Sequence, residues 1–286
     1  MPQLVALAGI FPSRDDGHDT PYFYTAMVQP FAGAMAAYGA PPAQGQELPI
    51  DSMPNEALFA IMGMAFGGDG FRNFALPNLK GRTAIGGQQI GQFNPQSLVL
   101  TYLIAATPSA GAPLPGMVAL FAGNYAPDGW LVADGSVLPI SPYVPLFETI
   151  GTAFGGNGAT NFALPDLNGA AAVGIGQGPG LPPVARGETV SGAVAGLGLN
   201  YLICSSGAYP SGSGDGYLPS SGQFLGQVIA FAGASPPQGW AVCDGSLLPI
   251  NGETEELYVL IGTTYGGDGE QDFALPDLRG RMLTGT

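Results

Sequence analysis

The hydrophobic positions of this chain fall in short runs separated by Gly, Pro, Ser, Asn and Asp, the punctuation of strands and tight turns. Three apolar runs, at 27–33, 117–123 and 228–233, are filled with Val, Ile, Phe, Met and Ala and predict strands. Downstream of each, at 58–64, 146–154 and 257–265, apolar residues return at three- and four-residue spacing until glycine stops them. Each of these segments predicts one short helix. Two further runs, Leu98-Val-Leu-Thr-Tyr-Leu-Ile104 and Leu197-Gly-Leu-Asn-Tyr-Leu-Ile203, predict an additional strand after the first and second helical segments. The expected fold class is mainly β with one short helix per repeat, of α+β character.

These elements belong to a threefold internal repeat, which dictates the fold before any single element does. The units open with Met27-Val-Gln-Pro-Phe-Ala-Gly33, Met117-Val-Ala-Leu-Phe-Ala-Gly123 and Val228-Ile-Ala-Phe-Ala-Gly233, and each reaches Leu-Pro-Ile at 48–50, 138–140 and 248–250. They close on Phe66-Gly-Gly-Asp-Gly70 with Phe74-Ala-Leu-Pro-Asn-Leu79, Phe154-Gly-Gly-Asn-Gly158 with Phe162-Ala-Leu-Pro-Asp-Leu167, and Tyr265-Gly-Gly-Asp-Gly269 with Phe273-Ala-Leu-Pro-Asp-Leu278. In the second and third units a Pro-x-Gly turn feeds Trp130 and Trp240 into the core, and Asp134-Gly-Ser136 and Asp244-Gly-Ser246 mark further turns.

The combined pattern of Phe-Ala-Gly, Pro-x-Gly-Trp, Asp-Gly-Ser, Gly-Gly-x-Gly and Phe-x-Leu-Pro-Asp-Leu-x-Gly-Arg resembles the phage tail collar family, whose standalone bacterial members are called microcystin-dependent proteins. Unit 3 carries nearly all of it, through Gly280 and Arg281. Unit 2 has Asn168-Gly-Ala170 where Gly-Arg is usual, and unit 1 lacks the Trp and the Asp-Gly-Ser, having Ala43-Gln-Gly-Gln46 instead. The resemblance implies three tandem small collar-like domains with a fibre, adhesin or structural role and no catalysis. It implies an extracellular, cell-surface or virion setting, although residues 1–14 make a poor secretory signal. The expected division is a donated N-terminal strand 1–14, a linker 15–26, repeat 1 at 27–108, repeat 2 at 115–206, a Ser/Gly/Pro-rich linker 207–224 and repeat 3, lacking its final strand, at 225–286.

Repeat 3 shows no counterpart of the strands at 98–104 and 197–203, whereas Pro2-Gln-Leu-Val-Ala-Leu7 echoes Pro95-Gln-Ser-Leu-Val-Leu100. The resembled family tends to close on Gly-Ile-Phe-Pro-Ser-Arg, and here those residues stand at 9–14. An unfinished sheet leaves unpaired backbone groups that cost about 1–3 kcal/mol each when buried. Three units of about 30 Å laid in a row span roughly 90 Å, while residues 15–26 reach about 40 Å, so self-closure would require the units to curl into a triangle. The expectation is therefore a head-to-tail homopolymer in which Leu4, Val5, Leu7, Ile10 and Phe11 fill the third unit of a neighbouring copy. The acceptor groove would be lined by Phe231, Trp240, Leu260, Phe273, Leu278, Met282 and Leu283. An arm that packs on its own first unit is the alternative.

Composition narrows the function classes. Seven Lys+Arg against 21 Asp+Glu give a net charge of −14, which excludes the basic surface that nucleic acid requires. Charged residues are only 10% of the chain, a low value that suits self-association. The only histidine, His18, lies beside Asp15 and Asp16 in a polar linker, so no nucleophile triad is assembled and no catalytic residue is expected. Asp69 and Asp268 in the Gly-Gly-Asp-Gly turns are candidate calcium ligands, with turn geometry as the competing explanation. Cys204 and Cys243 are either a disulfide or small buried apolar residues. Tyr209 and Tyr217 offer rings for a glycan or cell-surface receptor, in the alternative role of a tail-fibre or adhesin tip.

Overall fold

Each repeat opens on a strand that is buried on both faces, and the architecture follows from what covers the second face. The computed structural model describes residues 1, 3–6, 24–32, 41–51, 54–87, 90–94, 96–106, 114–206 and 223–285. In chain order the elements are β1 (Gln3–Val5), then unit 1 with β2 (Met27–Pro30), β3 (Glu47–Pro49), α1 (Asn55–Met62), β4 (Asn73–Ala75), β5 (Thr83–Gly86), β6 (Gly91–Asn94) and β7 (Ser97–Ala105). Unit 2 holds β8 (Met117–Phe121), β9 (Trp130–Val132), β10 (Val137–Pro139), α2 (Val144–Ile150), β11 (Asn161–Ala163), β12 (Ala170–Gly174), β13 (Thr189–Val190) and β14 (Ala195–Cys204). Unit 3 holds β15 (Val228–Phe231), β16 (Trp240–Val242), β17 (Leu247–Pro249), α3 (Glu255–Ile261) and β18 (Asp272–Ala274). The mainly β class with one short helix per unit is as expected. The helices begin two or three residues earlier than predicted and stop at Gly63, Gly151 and Gly262, whose φ of 54°, 59° and 56° lets the glycine N–H close on the carbonyl four residues back.

The units do not lie in a row. Their first strands pair with one another: β2 with β8 through Val28↔Leu120, β8 with β15 through Val118↔Ala230, and β15 back to β2 through the bridge Phe31↔Gln227. Three equivalent hydrogen bonds close this inner ring, Ala122 N to Ala26 O at 3.0 Å, Ala232 N to Gly116 O at 2.9 Å and Ala32 N to Gly226 O at 2.9 Å. A second ring joins the ends of the units through Gly169 N to Gly86 O at 2.8 Å, Gly280 N to Gly174 O at 2.7 Å and Gly81 N to Gly285 O at 2.8 Å. At Gly86, Gly174 and Gly285 a Cβ would lie 2.2, 1.9 and 2.3 Å from the carbonyl oxygens of Leu167, Leu278 and Leu79, so only glycine permits the approach. The chain is a closed pseudo-threefold ring. β2, β8 and β15 are buried along their whole length because one face meets the core of their own unit and the other meets the axis.

Long strands carry the chain from unit to unit. β7 pairs with β5 in parallel within unit 1, then runs antiparallel beside β8 and β9 of unit 2. β14 repeats this between unit 2 and unit 3, pairing with β12 and then with β15 and β16. β1 is the third member of the set: it runs antiparallel to β2, with Leu4 opposite Gln29 and an added bridge from Leu4 to Pro42. The triangle that self-closure requires is thus present, and the arm packs on its own first unit.

Candidate functional site

Leu4, one of the residues expected to drive assembly, is built into the ring. Leu4 is 1% exposed and stands where Leu103 and Leu202 stand, both fully buried. Ala6 accepts from Ala26 N–H at 2.9 Å as Ala105 does from Gly116 at 3.0 Å and Cys204 from Gly226 at 3.1 Å. Gln3 accepts from Ala43 N–H at 2.6 Å as Tyr102 does from Ala133 at 2.9 Å and Tyr201 from Cys243 at 2.8 Å. These bonds align Gln3 with Tyr102, shifted from the Pro-Gln register suggested by sequence. Met1 lies at the seam between first and last units, its ammonium 3.3 Å from the Thr284 carbonyl. Val5 is opposite Val28; Leu7, Ile10 and Phe11 lie outside the described residues.

Donation of this strand to the third unit of another copy is corrected accordingly: β1 completes unit 1 of its own chain. The expected acceptor residues are already occupied. Phe231 and Trp240 face β14, opposite Asn200 and Cys204. Phe273 is fully buried with its ring 5.6 Å from that of Tyr258, and Leu260 and Leu278 pack in the same core. Met282 packs against Ile85, Val99 and Ala171, and Leu283 lines the axis. The units curl into the triangle instead of lying in a row, so the span of roughly 90 Å does not separate unit 1 from unit 3.

The Gly-Gly-Asp-Gly turns have a structural explanation. Asp69 Oδ1 accepts from the N–H groups of Phe71, Arg72 and Asn73 at 2.8, 2.7 and 3.0 Å, and Asp268 Oδ1 does the same for Glu270, Gln271 and Asp272. Those backbone donors hold both carboxyls below the usual carboxylate range. Asn157 makes the same three contacts in unit 2 without charge. Among the described residues no three His, Cys, Asp or Glu side chains converge as a metal site. Asp277 is likewise lowered, by its paired hydrogen bonds with the Arg279 guanidinium at 2.9 Å.

Cys204 and Cys243 are both free and buried. Cys204 is paired opposite Trp240, while the N–H of Cys243 bonds to Tyr201, three residues away along β14, so the thiols serve as packing groups and not as a disulfide. Burial pushes the Cys204 thiol up to about 11 and Cys243 further in the same direction. His18, Tyr209 and Tyr217 lie outside the described residues. No helix among the described residues is long and apolar enough to cross a membrane.

The family model of the phage tail collar domain matches the chain three times, over residues 26–84, 116–172 and 226–283, more than half of its length. The chain belongs to the phage tail collar domain family. No curated protein and no solved structure matches it. Each collar match starts within two residues of the first strand of a unit and ends on the segment that forms the second ring. The crossing strands β1, β7 and β14, which join the three collar units, fall outside the matched segments. Sequence reasoning missed Gly86, Gly174, Gly285 and the Tyr102/Tyr201/Gln3 set; the one signal for the last was the shared Tyr-Leu-Ile at 102–104 and 201–203.

Proposed function

We propose that this protein is a non-enzymatic structural module of the tail-fibre type, carried on a virion or another extracellular assembly. In it one chain forms a complete three-unit knob that presents equivalent outer two-stranded sheets to a cell-surface receptor or glycan. The closed ring is the observation that carries this reading, because a chain that supplies all three of its crossing strands needs no neighbour to finish a sheet. The outer two-stranded sheets β3–β4, β10–β11 and β17–β18, each spanning the helix of its unit, support the presenting role. The rings are repeated from unit to unit, whereas the exposed positions differ, with Glu47, Val137 and Leu247 at equivalent places and Phe71 91% exposed at the tip of one loop. Exposed apolar side chains on otherwise polar tips mark contact surfaces. Immunogold labelling of particles and cells tests the setting, and binding of the labelled protein to host cells tests the role. Decoration of particles or cell surfaces, with binding weakened by Phe71→Ser, is expected. Labelling confined to the cell interior would contradict it.

A further inference from the structure

Gln3 breaks the threefold pattern at the axis. The Tyr102 hydroxyl donates to the Ala84 carbonyl at 3.3 Å and accepts from Ala172 N–H at 3.5 Å. The Tyr201 hydroxyl donates to the Ala172 carbonyl at 2.9 Å and takes the N–H of Leu283. Burial raises both phenols, Tyr102 to about 12, so both remain neutral donors. Continued once more around the axis, this order places a third hydroxyl between the Ala84 N–H and the Leu283 carbonyl. Gln3 holds that position with a shorter side chain. It is 4% exposed, and its Oε1 is buried without a hydrogen-bond partner among the described residues. Beside it lies a cavity of about 30 Å³ whose walls include Ala84, Tyr102, Ala172, Tyr201 and Leu283.

We propose that this axial cavity is a hydration site that holds one or two water molecules on the Gln3 amide, in the place where the other crossing strands put a tyrosine hydroxyl. The volume admits water and little more, since each water needs roughly 10–15 Å³ of probe-sized space and several polar partners. The guest must donate to Gln3 Oε1 and also accept from a backbone N–H. A monatomic ion does only one of these, and an apolar guest does neither. Water does both, and if the amide is turned over it accepts from the Gln3 Nε2–H instead.

A high-resolution crystal structure of the full chain tests the assignment, together with water-to-amide NMR transfer at Ala84. The expected result is ordered density within hydrogen-bond distance of the Gln3 amide and a long-lived water signal at Ala84. The variant Gln3→Tyr is expected to place its hydroxyl between Ala84 and Leu283 and to abolish that signal. An empty cavity, a Gln3 amide bonded directly to protein, or a water signal that survives in Gln3→Tyr would overturn the proposal.

Discussion

Replacing Leu4 by alanine isolates the contribution of the ring-closing strand. Leu4 is 1% exposed, and its counterparts Leu103 and Leu202 are fully buried, so removing three carbons leaves a cavity that the flanking strands cannot collapse. A buried leucine truncated in this way costs about 2–5 kcal/mol. A loss of about 3 kcal/mol corresponds to a fall in Tm of roughly 6–12 °C for a domain of this size. Thermal unfolding followed by circular dichroism, at protein concentrations spanning two decades, is the assay. Leu4→Ala should lose stability comparable to Leu103→Ala, and neither midpoint should depend on concentration. A Leu4→Ala effect below about 1 kcal/mol, or a midpoint that rises with concentration, would refute the reasoning, since the latter is the mark of a strand supplied by another molecule.

Gly174→Ala should destabilise by about 3 kcal/mol or more, because its methyl group would lie 1.9 Å from the Leu278 carbonyl, whereas Gly252→Ala, with open space around it, should leave the Tm unchanged. Asp268→Asn should be tolerated, because Asn157 closes the same turn, while Asp268→Ala should lower the Tm, and EDTA should change neither protein. Cys204 and Cys243 should resist thiol reagents at pH 8 until the protein unfolds. Their raised values favour the neutral thiol in the fold, so stability is present below the ordinary thiol value of about 8.5 and is lost as pH rises beyond it. On the acid side Asp69, Asp268 and Asp277 are lowered, so the stability they contribute is present above about pH 4 and is lost as pH falls through their folded values. Asp277→Asn should flatten part of that fall in a series of melts from pH 2 to 7.

The elements were legible because their causes are local. Glycine after 62, 150 and 261 ends each helix, the Pro-x-Gly turn buries Trp130 and Trp240 to 3% and 5% exposure, and the repeated Phe-Ala-Leu-Pro places Phe74, Phe162 and Phe273 in three equivalent cores. The arrangement of the units was not legible, because it rests on contacts between residues far apart in the chain. One clue stood in the sequence: Met-Val-Ala-Leu-Phe at 117–121 is apolar on both faces, and a strand at the edge of a separate small domain would alternate. That second face meets the axis. The three glycines of the second ring were indistinguishable from turn glycines until the opposing carbonyls of Leu79, Leu167 and Leu278 were in place.

The central claim, that the chain closes on itself, has a direct chemical test. Lys80 is the only lysine, and the Met1 ammonium is beside Thr284 while Lys80 bridges to Gly285, so a short amine-reactive cross-linker can join one pair only. Cross-linking an equal mixture of light and nitrogen-15-labelled protein, followed by mass spectrometry of the Met1–Lys80 peptide pair, should yield all-light and all-heavy products alone. Mixed light–heavy pairs in statistical proportion would contradict the account.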